Sequence, residues 1–130
     1  MSTAADQPTG IVKMVTLDCA DPGPVSSFYA EFLGLDVAYS DENAVMLVDG
    51  SGGPALGFGR VPDYQPPAWP NPNGSKQYHL DLAVDDIAAA ESRCLELGAT
   101  LADPQPGETW RVLIDPAGHP FCLTNAANWG

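Results

Sequence analysis

The sequence MVTLDCAD at residues 14–21 returns in altered form as HLDLAVDD at residues 79–86, half the length of the chain later. In both stretches apolar side chains occupy every second position, which indicates a strand with one face against a core. Each stretch leads into a segment with helical spacing that ends in Leu-Gly, at residues 33–34 and 97–98. The repetition predicts two modules of the same plan that pack together.

Each module is predicted to contain one strand, one helix and then three short strands. An aspartate is placed to cap the start of each helix, and a glycine is placed to end it. In the first module the segments are residues 13–19, the helix between Asp21 and Gly34, and residues 36–40, 44–49 and 55–61. In the second they are residues 77–84, the helix between Asp86 and Gly98, and residues 100–103, 109–114 and 121–124. The predicted fold class is α+β, built from two βαβββ modules.

The length and composition predict one domain. A chain of 130 residues with 45% hydrophobic and 17% charged residues is large enough for one hydrophobic core. We expect a flexible N-terminal tail at residues 1–12 and a domain at residues 13–130. Its modules, residues 13–61 and 77–124, are joined by a Pro-rich segment at residues 62–76.

The charge and the cysteines limit the classes of partner and the compartment. A formal net charge of −12 repels nucleic acid and anionic membranes, and is consistent with solubility or with attraction of a cationic ligand. The three cysteines are odd in number and far apart, so we expect reduced thiols rather than a disulfide framework. Residues 1–10 lack the basic and apolar regions of a secretion signal. We therefore expect a cytoplasmic protein.

Several short motifs are distributed over the two modules. They are the Val15-x-Leu17 strand before Asp21, FY at 28–29, LGL at 33–35, HLDLAVDD at 79–86, LGA at 97–99 and DPAG at 115–118. Together they resemble the glyoxalase, bleomycin-resistance and ring-cleaving dioxygenase (vicinal oxygen chelate) superfamily. The stretches RVPD at 60–63 and FCL at 121–123 are most similar to its glyoxalase-like domain branch. The resemblance runs from about residue 13 to residue 124.

The resemblance implies a fold and a mode of assembly. In such proteins the two modules form a cup of eight strands, the helices cover its outside, and the chemistry takes place inside. Members of the superfamily often pair, so the resemblance implies a homodimer that takes a small organic molecule into the cup.

The resemblance also implies where a metal would bind. In metal-using members, four ligands come from the first and last strands of the two modules. The matching positions here are His79, Met14 and Cys122, and the last strand of the first module, residues 56–60, has no carboxylate or imidazole at the fourth. A hard divalent cation requires several oxygen or nitrogen donors. We therefore expect no bound metal of the usual kind and no other cofactor.

The candidate site residues lie on the strand faces that point away from the helices. His79 and Asp81 are two residues apart on one strand, so they share a face and could act as acid and base, or could form a structural polar pair. Cys122 is expected on the same interior surface, as a small packing residue rather than a nucleophile. Met14 and Thr16 are the candidate ligand contacts from the first module.

Two tryptophans are further candidates for ligand binding, each with an alternative. Trp110 either faces the cup, where it would stack on a flat ligand, or packs in the core on the helix side. Trp69 lies in the Pro-rich segment, which is either a lid over the cup or a strap that joins the modules.

Two functions from different classes follow from these residues. The chain is predicted to bind a small molecule such as a drug or metabolite, and to sequester it without changing it. The alternative is a glyoxalase-type lyase or isomerase in which His79 and Asp81 move a proton on a small carbonyl compound.

Overall fold

The computed structural model of the chain describes residues 10–69 and 79–129, which form two modules of the predicted plan. Each module has one strand, one helix and three further strands. Module one contains β1 (Met14–Cys19), α1 (Pro22–Leu33), β2 (Asp36–Ser40), β3 (Ala44–Val48) and β4 (Ala55–Arg60). Module two contains β5 (Leu80–Val84), α2 (Ile87–Glu96), β6 (Thr100–Leu101), β7 (Arg111–Ile114) and β8 (Pro120–Asn125), and a short 3-10 helix, Ala126–Trp129, follows it.

The two sheets have the same topology. Their strand orders are β1-β4-β3-β2 and β5-β8-β7-β6, and the first strand of each module runs parallel to the last. The registers also correspond, because Thr16 lies opposite Gly57 in module one where Asp81 lies opposite Cys122 in module two. The internal repeat of the sequence is thus a repeat of structure.

Both helices begin at an aspartate, as predicted. The Asp21 carboxylate accepts a 3.0 Å hydrogen bond from the Gly23 amide, and Asp86 accepts one of 3.1 Å from Ala89. Gly34 ends α1 with a φ of 67°, a left-handed conformation that glycine adopts without steric cost.

One hydrophobic core joins the helix-bearing sides of both sheets. Phe121 of β8 packs against Phe28 and Tyr29 of α1, with ring centroids 5.6 and 6.0 Å apart. The Tyr29 hydroxyl donates a 2.7 Å hydrogen bond to the buried carboxylate of Asp115, in the turn between β7 and β8. Helix α1 therefore fastens module one to module two.

Polar contacts connect the modules along the seam, where β1 of module one lies against the turn between β7 and β8 of module two. The His119 ring lies 2.6 Å, Nε2 to oxygen, from the Asp18 carbonyl, and because a carbonyl can only accept, Nε2 carries the hydrogen. Tyr64, from the segment that leaves module one, donates a 2.7 Å hydrogen bond to the Ala117 carbonyl and lies 3.1 Å from the same ring nitrogen. Pro66 rests on Gly118, where an added Cβ would come within 2.4 Å of it. The described part of the segment is thus a strap against module two.

The sheets differ from the predicted cup in one respect. The βαβββ plan is confirmed, but the eight strands form two four-stranded sheets, and within residues 10–69 and 79–129 no strand pairing joins the two sheets. Most strand bounds agree within one or two residues, whereas β6 ends at Leu101 instead of residue 103. Gln105 explains this, because its side-chain Oε1 accepts the hydrogen bond of the Val112 N–H at 2.9 Å, which leaves a single backbone bond between Ala102 and Val112, at 3.1 Å.

Parts of three predictions lie outside the described residues. They are most of the tail at residues 1–12, the end of the joining segment at residues 70–76, and the start of the predicted strand at residues 77–78. Neither α1 nor α2, the two α-helices of the described part, is long and apolar enough to cross a membrane.

Candidate functional site

Three of the predicted site residues come together on module two. We call the side of each sheet that does not carry its helix the open face. Asp81 and Cys122 are opposite one another in the ladder of β5 and β8, and His79 lies on the same face two residues before Asp81. The ligating atoms of the three side chains are all within 4.8 Å of one another, and His79 Nε2 is 3.4 Å from Asp81 Oδ1.

The environment of Cys122 keeps its thiol protonated. Burial, the charge of Asp81 and a hydrogen bond to that carboxylate, in order of decreasing effect, together raise the pKa of Cys122 to about 11. A nucleophilic cysteine requires the opposite, a pKa lowered by a nearby positive charge or helix N-terminus. The arrangement therefore favours Cys122 as a small packing residue rather than a nucleophile, the role expected from the sequence.

Module one presents the matching positions with different chemistry. Met14, Thr16 and Gly57 stand where module two has His79, Asp81 and Cys122. The Met14 side chain lies over Gly57, where an added Cβ would be 2.8 Å from its Sδ and 3.1 Å from Thr16 Oγ1. Met14 and Thr16 are thus on the open face of module one. That they share one cavity with His79, Asp81 and Cys122 stays a prediction.

The structure places Trp110 on the open face of module two. It packs with Val112 and Cys122 in a small second cluster, whereas Arg111 points to the other side and binds Glu91 of α2 at 2.8 Å. The Trp110 ring lies directly on Gly107, because a Cβ there would be 2.3 Å from Cη2. Of the two alternatives for Trp110, the orientation away from the helix is the observed one.

Two residues that the sequence interpretation missed help to build this face. Gln105 fixes the loop under Trp110 by binding Ala102 and Val112 through its side-chain amide. Trp129 donates a 2.7 Å hydrogen bond from Nε1 to Thr124 Oγ1, and its side chain is exposed. Neither lies in an alternating or helical pattern, so the signal that identified the other residues did not apply to them.

Trp69 belongs to the strap rather than to either sheet. It lies at the end of the described part of the strap and is 37% exposed. Its role as a ligand contact stays a prediction.

His79 lies at the border between the open face and the seam. A cleft with about 310 Å³ of empty space, which includes space open to solvent, separates the edge strands of the two modules. Its lining residues are Val15, Leu17, Tyr29, His79, Leu80, His119 and Pro120. Both histidines of the chain therefore face this cleft.

The donor set does not fit the hard divalent cation that the resemblance implies. Module two offers one imidazole, one carboxylate and one protonated thiol, while module one offers a thioether at Met14 and no side chain at Gly57. Hard cations prefer carboxylate, carbonyl and water oxygens, and thioether and thiol sulfurs are poor ligands for them. The side chains present are therefore not a ligand set for a hard divalent cation.

Comparison with solved structures places the fold among known ones. A glyoxalase/bleomycin resistance protein/dioxygenase family enzyme from Burkholderia phytofirmans PsJN has a TM-score of 0.67 at 18% identity, covering 88% of this chain and 97% of that one. An antibiotic binding protein from Streptomyces sp. CB03234 has a TM-score of 0.60 at 19% identity, covering 92% and 98%. The bleomycin-binding protein of Streptomyces verticillus, solved with copper(II)-bleomycin, has a TM-score of 0.59 at 16% identity, covering 92% and 98%.

Sequence comparison gives the family. No curated protein matches the sequence. The family model for the glyoxalase-like domain matches residues 14–124, which include every strand of both sheets except the last residue of β8. The chain belongs to the glyoxalase-like domain family.

Proposed function

We propose that the chain binds a small organic molecule on the open face of module two, without a divalent metal, and holds it unchanged. The observation that carries this proposal is the position of Trp110, whose ring is seated on Gly107 beside Val112 and Cys122. Ligand sites are largely apolar, preformed and furnished with a few polar groups. The open face has this composition, with His79 and Asp81 as the polar groups.

The chemistry of the face supports binding over catalysis. Its floor consists of buried Ala102, Val112 and Cys122, and the raised pKa of the thiol removes the obvious nucleophile. The structural neighbours that bind an antibiotic or bleomycin have the same fold, which is consistent with sequestration of a drug or metabolite.

A blocking variant tests this proposal. Ala83 is exposed and alternates with Leu82 and Val84, which pack against the core, so Ala83 lies on the open face. Ala83→Trp fills that face, whereas Ala88→Trp places the same side chain on the exposed surface of α2. Small aromatic compounds, including antibiotics, are screened against the wild-type chain by saturation-transfer NMR.

The two variants then give opposite results if the proposal is correct. Compounds that bind the wild type are expected to bind Ala88→Trp equally, to lose binding to Ala83→Trp, and to be recovered unchanged by mass spectrometry. Equal binding to both variants, or no binding compound at all, contradicts the proposal.

One observation favours the alternative, a lyase or isomerase. His79 Nε2 lies 3.4 Å from Asp81 Oδ1, and both side chains are accessible, at 42% and 43% exposure. Such a pair can exchange a proton with a carbonyl compound. The test is whether the chain turns over small 2-oxoaldehydes. Under this alternative the wild type converts them and His79→Ala does not. Under the binding proposal the wild type shows no turnover.

We also propose that the chain forms a homodimer in the cytoplasm. Support comes from the open face of module one, where Met14 and Tyr39 are 44% and 51% exposed and would be covered by a second copy. Three free cysteines suit a reducing compartment. Light scattering is expected to give twice the chain mass of 13.6 kDa, and the chain mass itself contradicts the dimer.

A further inference from the structure

The indole of Trp129 is fixed on module two with its ring accessible. Trp129 Nε1 donates to Thr124 Oγ1 at 2.7 Å, and the Thr124 hydroxyl in turn donates to the Leu82 carbonyl at 3.1 Å. Trp129 is nevertheless 62% exposed. A fixed indole with an open ring face offers a flat contact surface to a ligand, with little loss of side-chain freedom on binding.

The position of Thr124 places Trp129 beside Trp110. Leu123 packs in the core on the helix side, so Thr124, the next residue, faces the open side. Leu123 lies opposite Arg111 in the β7–β8 ladder, so Thr124 is next to the position of Trp110. Two tryptophans are therefore anchored at the same end of the open face, one packed on Gly107 and one bonded to Thr124.

The charge of this face is negative. Asp81 lies two residues before Ala83, the residue opposite Thr124, which is about 7 Å along the strand. Among the described residues no lysine or arginine projects from the open face of module two, because Arg93 and Arg111 form ion pairs with glutamates on the helix side. The chain as a whole carries a formal charge of −12, which adds to the local attraction for cations.

We infer that the ligand is a planar organic cation, which stacks on the Trp129 indole and directs its positive charge towards Asp81. Tryptophan is the side chain that binds cations most strongly through its ring face. An aromatic anion could stack on the same indole but would be repelled by the Asp81 carboxylate. The inference rests on the proposed function and names the chemical class of ligand for the same face.

Two fluorescent probes of opposite charge test the inference on the full-length chain. Thioflavin T is a planar aromatic cation, and 8-anilinonaphthalene-1-sulfonate is an aromatic anion. At low salt, thioflavin T is expected to bind at least tenfold more tightly than the anionic probe. Its affinity is expected to fall as the ionic strength rises. Equal or tighter binding of the anion overturns the inference.

Two substitutions separate the stacking from the charge. Trp129→Ala is expected to weaken thioflavin T binding by about threefold to thirtyfold, while Trp129→Phe retains most of it. Asp81→Asn is expected to reduce the preference for the cation over the anion. Two control variants are expected to leave that preference unchanged. Asp36→Asn removes an exposed carboxylate from β2, and Leu95→Ala removes an exposed apolar side chain from α2. Unchanged binding by Trp129→Ala, with an unchanged melting temperature, contradicts the role of Trp129.

The blocking variant distinguishes this inference from the proposed function. If the anion binds the wild type as well as the cation and both are lost in Ala83→Trp, the class of ligand is wrong and the binding function stands. If Ala83→Trp binds both probes like the wild type, the inference and the proposed function both fail.

Discussion

Cys122 lies opposite Asp81 in the parallel ladder of β5 and β8. Burial together with the charge of the Asp81 carboxylate raises the pKa of the Cys122 thiol to about 11. The same ladder position in module one holds Gly57 opposite Thr16. The two modules therefore share a backbone but differ in chemistry, and a titratable group close to a carboxylate occurs at this position in module two alone.

The first prediction concerns this neighbouring pair. Asp81→Asn removes the negative charge beside the thiol, so the pKa of Cys122 falls from about 11 towards its ordinary value of 9.0. Thiolate absorbance at 240 nm, taken as the difference between each protein and its Cys122→Ser counterpart, measures this pKa. Asp36→Asn, which removes a distant exposed charge, is the control. An unaltered pKa in Asp81→Asn shows that the two side chains do not interact.

A second prediction concerns the contact that fastens the modules together. Tyr29→Phe removes the hydroxyl that donates to the buried Asp115 carboxylate, and we expect a loss of about 1–3 kcal/mol in the free energy of unfolding. Tyr39→Phe removes a hydroxyl whose partner is the exposed Asp41 and is expected to cost much less. Urea unfolding followed by circular dichroism measures both. A loss for Tyr29→Phe no larger than that of the control is the contrary result.

The third prediction concerns the seat of Trp110. Gly107→Ala places a methyl group 2.3 Å from the indole, so the ring must move, and we expect a cost of about 1–3 kcal/mol together with weaker ligand binding. Gly59→Ala meets only Thr16 Cγ2, at 3.7 Å, and serves as the control. Thermal melting and the thioflavin T titration report on the two effects. If Gly107→Ala behaves like Gly59→Ala in both measurements, Trp110 is not held against the loop.

A fourth prediction concerns metals. Because Met14 and Gly57 replace oxygen and nitrogen donors, magnesium, manganese and nickel at a tenfold excess are expected to change neither the melting temperature nor ligand affinity. Elemental analysis of untagged protein gives an independent measurement. A near-stoichiometric content of any divalent metal, lost together with ligand binding on chelation, contradicts the metal-independent proposal.

Alternation and repetition were sufficient to predict most of the fold. They predicted the faces of the repeated strands correctly, since Leu80, Leu82 and Val84 pack on the core and Asp81 lies on the other side. They could not predict how the sheets meet, because a pattern shows which faces are apolar but not which apolar faces of two modules pack together. That choice depends on the fit of Phe28 and Tyr29 against Phe121.

The sequence did not predict the orientation of Trp110 or the position of Trp129, for a local reason. Residues 102–110 leave the strand pattern after β6, where the Gln105 side chain replaces one of the two backbone hydrogen bonds between Ala102 and Val112, so alternation could not orient Trp110. Trp129 lies in a short 3-10 helix and is held by a side-chain bond to Thr124. Such side-chain contacts with irregular backbone have no periodic signature.

The most direct test of the central claim, ligand binding on the open face of module two, is a map of amide chemical shifts in ¹⁵N-labelled protein titrated with thioflavin T. The proposal predicts the largest shift changes at Asp81, Trp110 and Cys122 and their neighbours in β5, β7 and β8. Changes confined to α2 or to the seam cleft around Val15 and His119, or no changes at saturating probe, would contradict it.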